Sequence, residues 1–378
     1  MIDVVRGLIA WTPMGLPAFL FVITLVVFFH ELGHFLVARA FGVKVDVFSV
    51  GFGREIFGWN DKRGTRWKVS WLPIGGYVKF AGDADAASRP DADAATKMTL
   101  AEREGALMFK PVGQRALVAA SGPLANFALA IVLLTGIFMY TGHSEVAPVI
   151  GQVTAASPAA AAGILPGDRV TRVDSTPITD FQQLPQIISV ASGEPMAIGI
   201  HRGNRDLTIW VSPKRMHTRD ILGNNVNQMV IGVRPDPNAP VTHENYGPLG
   251  AFVAANAETW NIMKTTIVGI AHMIAGHGGA DQLSGPVGIA KMTRQVADIG
   301  FLPLLNLVAI LSVSIGLANL FPIPLLDGGH LLYYGVEAVL GRPLGERAQD
   351  VGFRLGLVLV LGLMLLTTWN DLVRLNLF

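Results

Sequence analysis

Four stretches of the chain are long, apolar and free of charge. Residues 7–29 carry no charged side chain, and their apolar pattern continues through His30 and Glu31 to about residue 40. Residues 116–140 and 301–320 form the second and third stretches. The fourth, 355–370, is shorter and lies between Arg354 and Arg374. Those arginines can lay their stems along apolar surface while the charged heads reach water. About 20 apolar residues cross a bilayer as a helix. The pattern therefore predicts four spanning helices, a buried core helix being the alternative for each. Residues 247–280 carry Glu258 and Lys264 and read as an amphipathic or interfacial helix rather than a span. The first stretch is too long for a signal peptide, and no small-residue cleavage site closes it, so it is read as an uncleaved span.

The connecting segments differ in character. Residues 41–114 are basic, with Lys44, Arg54, Lys62, Arg63, Arg66, Lys68, Lys79 and Lys110, and the segment after residue 320 carries Arg342, Arg347 and Arg354. The positive-inside rule puts both in the cytoplasm and leaves both termini and the long stretch between the second and third spans outside. Within that stretch, residues 145–235 read as a soluble domain. Residues 149–153 and 196–201 have strand character, and 202–205 (Arg-Gly-Asn-Arg) has that of a hairpin turn. Ser157-Pro158-Ala159, followed by residues 162–170, reads as a short helix, a turn and a strand. Residues 81–95, rich in Ala and Asp, read as a flexible loop. The divisions expected are 1–144, 145–235, 236–300 (amphipathic helix and connector) and 301–378.

Composition agrees with this picture. Of 378 residues, 51% are hydrophobic and 15% charged, against about 25% charged in soluble domains, which argues against an ordinary cytosolic enzyme. A net charge of +1 gives no electrostatic case for nucleic-acid binding. The absence of cysteine excludes disulfides, thiol nucleophiles and Cys-ligated zinc.

The candidate chemistry interrupts the apolar runs. His30-Glu31-Leu32-Gly33-His34 fits the pattern H-E-x-x-H. On a helix, His30 and His34 lie one turn apart on one face and can reach one zinc ion, with Glu31 placed as general base toward a water on that metal. A pair of helix histidines beside a solvated glutamate is the plain alternative. It is weak here, because ionisable groups within a span are costly and usually functional. A catalytic zinc needs a third protein ligand and an open position. Asp327, in the segment 319–330 (NLFPIPLLDGGH), is the candidate, and His330 is a chemically suitable rival. The prolines and glycines of this segment predict a broken backbone, which is tolerated at membrane depth only against protein or a wet cavity. With four spans, the first and third run in the same direction, so all three ligands fall at one depth near the cytoplasmic face.

Together these residues resemble the site-2 family of intramembrane zinc metalloproteases, and its RseP-like branch in particular. H-E-x-x-H in the first span pairs with N-x-x-P-x-P-x-L-D-G after the third. Residues 48–53, 75–79, 112–115, 122–127 and 284–290 carry further similarity. The soluble insert resembles a PDZ domain around Pro166-Gly167-Asp168, although there is room for one such domain where the best-known members have two. The resemblance implies a polytopic α-helical membrane protein of about four transmembrane helices. It would carry a membrane-associated β-region and an inserted α+β PDZ-like domain. It implies a bacterial inner membrane location and Zn2+ as cofactor. The implied substrates are single-pass transmembrane proteins, of anti-sigma-factor or remnant-signal-peptide type, cut within the lipid bilayer. The region 51–79 would pair with an extended substrate strand, with Gly75-Gly76 read locally as a hairpin turn. The resemblance also gives Asn319 a role on the substrate backbone or oxyanion, a helix C-cap being the equal alternative. Asn126 is read as packing or hydrogen bonding between spans. A peptide C-terminus at the PDZ-like domain is a further possible partner. The competing readings are a membrane metal carrier, which needs ligands but no base, and an inactive scaffold acting through its PDZ-like domain.

Overall fold

The computed structural model describes residues 15–83, 98–189, 191–219, 225–276 and 283–374. The chain divides into two compact units, Met1–Leu133 with Gly285–Phe378, and Leu134–Ser284. Four described helices are long and apolar enough to cross a membrane: Gly15–Ala40, Val112–Thr141, Phe301–Asn319 and Arg347–Val373. They coincide with the four predicted stretches. The loop expected at 81–95 falls mostly outside the described residues.

In the first unit, helix α1 (Gly15–Ala40) leads into a hairpin of strands β1 (Val45–Asn60) and β2 (Arg66–Phe80). The hairpin turn is built around Asp61. Its carboxylate accepts from the backbone N–H of Arg63 (2.8 Å) and Thr65 (2.9 Å), and Gly64 takes φ 86°. Gly75 and Gly76 are therefore not the hairpin turn but lie inside β2. The reason is close approach. A Cβ on Gly75 would strike the Phe52 ring, and one on Gly76 would come within 2.7 Å of the Ser49 carbonyl. The ladder curls so that Phe48 stands opposite both Val78 and Trp67, with register breaks next to Gly51 and Gly53, which take φ 92° and 88°. The C-terminal half of α1 packs on this curl through Phe35, Ala38, Phe48, Val78 and Phe80. Phe48 is fully buried and stacks on Trp67 at 4.2 Å between ring centroids, a contribution of about 1.5–3 kcal/mol from burial alone.

Short helix α2 (Leu100–Gly105) starts from a capping box of Thr99 and Glu102 and precedes α3 (Val112–Thr141). In the second unit, residue order runs through β3 (His143–Val146), β4 (Ile150–Val153), α4 (Pro158–Ala162), β5 (Arg169–Val173), β6 (Thr176–Pro177), α5 (Gln183–Ser189), β7 (Met196–Arg202), β8 (Arg205–Val211), β9 (Lys214–Arg219), β10 (Asn225–Val230), β11 (Val233–Pro235), β12 (Val241–Glu244) and α6 (Pro248–Ile274). Strands β6-β5-β7-β8 form one antiparallel sheet, while β4 pairs β11, β3 pairs β12 and β9 pairs β10. Its core holds Ile150, Ile164, Leu184, Ile198 and Ile200. The predicted 202–205 turn closes β7 onto β8 with Arg202 opposite Arg205. Asp168 is buried and fixes its loop, accepting from the Leu165 N–H at 2.8 Å and from both Nε and Nη2 of Arg202 at 2.6 and 2.7 Å.

The first unit resumes with α7 (Pro286–Ile299), α8 (Phe301–Asn319), α9 (Asp327–Leu340) and α10 (Glu346–Arg374). Val22 and Val26 of α1 pack with Leu304 and Val308 of α8. Two glycines let α3 come close to its neighbours. A Cβ on Gly33 would collide with the Ser121 carbonyl, and one on Gly316 would meet Asn126 Cβ at 3.1 Å.

Candidate metal centre and its cleft

Two elements bring the donors together. His30 and His34 project from one face of α1, and Asp327 is the first residue of α9. His30 Nε2 lies 3.3 Å from His34 Nε2 and 3.1 Å from Asp327 Oδ2, and His34 Nε2 lies 3.5 Å from Asp327 Oδ1. Despite this proximity, Asp327 Oδ2 is buried and has no hydrogen-bond partner. Three donor atoms converging on one point, one of them an orphaned buried carboxylate oxygen, fit a divalent cation. The chemistry agrees, since imidazole and carboxylate are zinc ligands. His34 Nδ1 donates to the Val118 carbonyl at 2.8 Å. A carbonyl only accepts, so the proton sits on Nδ1 and Nε2 presents its lone pair.

The route to Asp327 differs in part from the expected break. The backbone does leave the helix after Asn319, and Leu325 takes φ 98°, a conformation costing about 1–3 kcal/mol. Gly328 and Gly329, however, lie inside the first turn of α9 and are buried. A Cβ there would collide with the carbonyls of Leu320, Phe321 and Ile323. Only glycine lets the turn double back so tightly. An acid in that first turn is also favoured by the helix dipole. Burial would raise the Asp327 carboxyl, but the His34 and His30 imidazoles against it outweigh this and hold it below the usual carboxylate range.

The donors line an open cleft of about 210 Å³, shared with Glu31, Gly76, Arg115, Asn319, His330 and Tyr334. Glu31 sits at its wall, its Cγ within 3.2 Å of where a Gly76 Cβ would stand. Of the residues expected to meet substrate, Asn319 and Gly76 face the cleft, while Gly75 packs on Phe52 instead. Asn319 is the last residue of its helix, and the cap position falls to Leu320, in right-handed helical conformation. The C-cap alternative for Asn319 thus does not hold. His330 lines the cleft but is outside the donor cluster; burial holds its imidazole below its ordinary value, and burial pushes Tyr334 up to about 12.

Several contributors escape a reading by motif. Arg115 pairs with Glu337, donates to the Lys110 carbonyl at 3.0 Å and lies 4.9 Å over the Tyr334 ring, tying α3 to α9. Gly122 faces the histidines so closely that a Cβ would collide with His34 Nε2 and come within 2.8 Å of His30 Cε1. Asn126, expected to pack or hydrogen-bond between spans, places Nδ2 3.3 Å from His30 Nδ1, a contact with a donor of the cluster that the motif did not indicate. Their four-residue spacing in Gly122-Pro123-Leu124-Ala125-Asn126 was the available signal, but its meaning depends on which helix that face meets.

Comparison with known proteins places this geometry. The family model described as Peptidase family M50 matches residues 18–363. A protein of Agrobacterium fabrum named as a zinc metalloprotease is 42% identical over 355 residues, 94% of each chain. A similarly named protein of Mesorhizobium japonicum is 44% identical over 359 residues, 94% of this chain and 98% of the relative. Metalloprotease MmpA of Caulobacter vibrioides is 39% identical over 385 residues, 96% of each chain. The match runs from the helix bearing both histidines through the segment that delivers Asp327, and on that ground the chain belongs to peptidase family M50 and is a zinc metalloprotease.

Proposed function

We propose that this metalloprotease cuts single-pass transmembrane substrates within the bilayer, such as anti-sigma factors or remnant signal peptides, in regulated intramembrane proteolysis. The observation that carries the reading is the position of the chemistry. His30, Glu31 and His34 sit in the C-terminal half of a helix apolar enough to span a membrane. Ionisable groups there are costly unless they serve a function.

His30, His34 and Asp327 hold the zinc. When bound, zinc supplies a Lewis acid that lowers the pKa of a water and polarises the scissile carbonyl. Glu31 takes the proton from the attacking water and delivers it to the leaving amine. Asn319, at the cleft wall, offers its amide to the substrate backbone or the developing oxyanion. A substrate helix must unwind before attack, and the β1–β2 hairpin, whose Gly76 reaches the cleft, offers a strand edge to the extended segment. The sheet unit acts as a PDZ-like module outside the cytoplasm that engages a peptide C-terminus, and the cleft opens near the cytoplasmic face of the inner membrane.

Glu31→Gln separates this from a metal carrier. Cleavage of a tagged transmembrane substrate should fall about 10²–10⁴-fold while zinc content is unchanged. Cleavage at the normal rate would remove the protease mechanism. Metal-free protein that remains functional in cells would favour the scaffold.

A further inference from the structure

Both zinc-facing histidines are met from behind by the same face of α3. Val118, Gly122 and Asn126 are spaced four apart and so lie along one stripe of that helix. The Val118 carbonyl accepts the hydrogen bond from His34 Nδ1–H, and Gly122 leaves room for both imidazoles. Asn126 completes the stripe. It is fully buried, its amide Nδ2 is 3.3 Å from His30 Nδ1, and its Oδ1 has no partner.

Hydrogen-bond polarity decides what this contact is for. If His30 Nε2 gives its lone pair to a cation, the ring proton must be on Nδ1, which then needs an acceptor. An amide nitrogen cannot accept, but an amide oxygen can. A half-turn about the terminal torsion exchanges the two atoms, brings Oδ1 onto His30 Nδ1 and removes the orphaned oxygen in the same movement. The rotation does not involve the Asn126 backbone, whose helix is packed against Gly316 and whose carbonyl accepts from Ser312 Oγ at 2.8 Å. We infer that Asn126 is a positioning residue for the metal. Its Oδ1 accepts from His30 Nδ1–H, fixing the tautomer and ring angle that aim Nε2 at zinc.

The inference rests on His30, His34 and Asp327 being the ligands, so the test reports on both levels. Zinc affinity of the full chain in detergent would be measured by competition with a chromophoric chelator, after size-exclusion chromatography has selected folded protein. Asn126→Leu keeps the volume but has no acceptor, and its affinity should fall about 10–100-fold. Asn126→Asp restores an acceptor and should stay within about threefold of the native value, well inside that loss. Ser312→Ala removes the neighbouring buried hydrogen bond without touching His30 and should bind zinc normally. Native affinity in Asn126→Leu, or an Asn126→Asp variant as weak as Asn126→Leu, would overturn the role of Asn126 alone. Equal loss in Ser312→Ala would reassign the effect to packing. Native affinity in Asp327→Ala would overturn the ligand set, and the role of Asn126 with it.

Discussion

Two histidines one helical turn apart approach a cation from one side, and a third donor has to arrive from another element. Asp327 and His330 both lie on α9 and both line the cleft, yet only Asp327 joins the two imidazoles. The difference is one of direction. Residue 327 begins the helix at the donors, and residue 330 stands most of a turn further along. Removing a ligand should cost more than the 10–100-fold typical of an outer partner. Asp327→Ala is therefore expected to lose most bound zinc on metal analysis of the purified protein, whereas His330→Ala keeps it. The opposite pattern would make His330 the ligand. At this scale too, the tautomers of His34 and His30 are set by whether one neighbouring atom donates or accepts.

Between elements, the positioning is done by glycines at crossings and by polar groups at helix ends. Asp371, in the last turns of α10, is buried and accepts from the Gly285 N–H at 3.1 Å and the Gly288 N–H at 2.8 Å. It thus caps the start of α7 from another helix, satisfying amides that a local Ser or Asp would ordinarily serve. The Ser284-Gly285-Pro286-Val287-Gly288 motif becomes intelligible on this basis, because a Cβ on Gly285 would meet Asp371 Oδ2 at 2.8 Å. Asp371→Ala leaves those amides unpaired and should cost about 1–3 kcal/mol, read as a lower thermal midpoint with zinc affinity retained. An unchanged midpoint would mean that water replaces the carboxylate. The hairpin teaches the same lesson in reverse. Gly75-Gly76 looks like a turn because paired glycines usually are, but the turn chemistry belongs to Asp61 and Gly64, and the glycine pair exists for contact with Phe52, Ser49 and Glu31.

For the whole molecule, the proposed orientation is open to a direct test because the chain has no cysteine of its own. Ser175→Cys, on an exposed position between β5 and β6, should react with a membrane-impermeant maleimide in cells whose outer membrane alone is breached. Lys62→Cys, exposed in the β1–β2 turn, should react only after the inner membrane is opened. The reverse pattern would invert the orientation. Sequence by itself determined the four apolar helices long enough to span, the strand and turn character around residues 196–205 and the H-E-x-x-H donors, and it narrowed their partner to Asp327 or His330. All of these follow from rules read along the chain: uninterrupted apolar length, residue spacing on one helix, and turn chemistry. What only the tertiary structure decided is which faces meet. Asn126 could not be told from an ordinary interhelical contact until α3 lay against α1, and Gly122, Arg115 and Asp371 had no visible partners until the helices were packed. These contacts span 83 to 222 residues of chain, from the hydrogen bond of Gly288 to Asp371 to that of Arg115 to Glu337. Such a contact has no period or local motif, because it is created by close packing between elements, and only the folded arrangement specifies it.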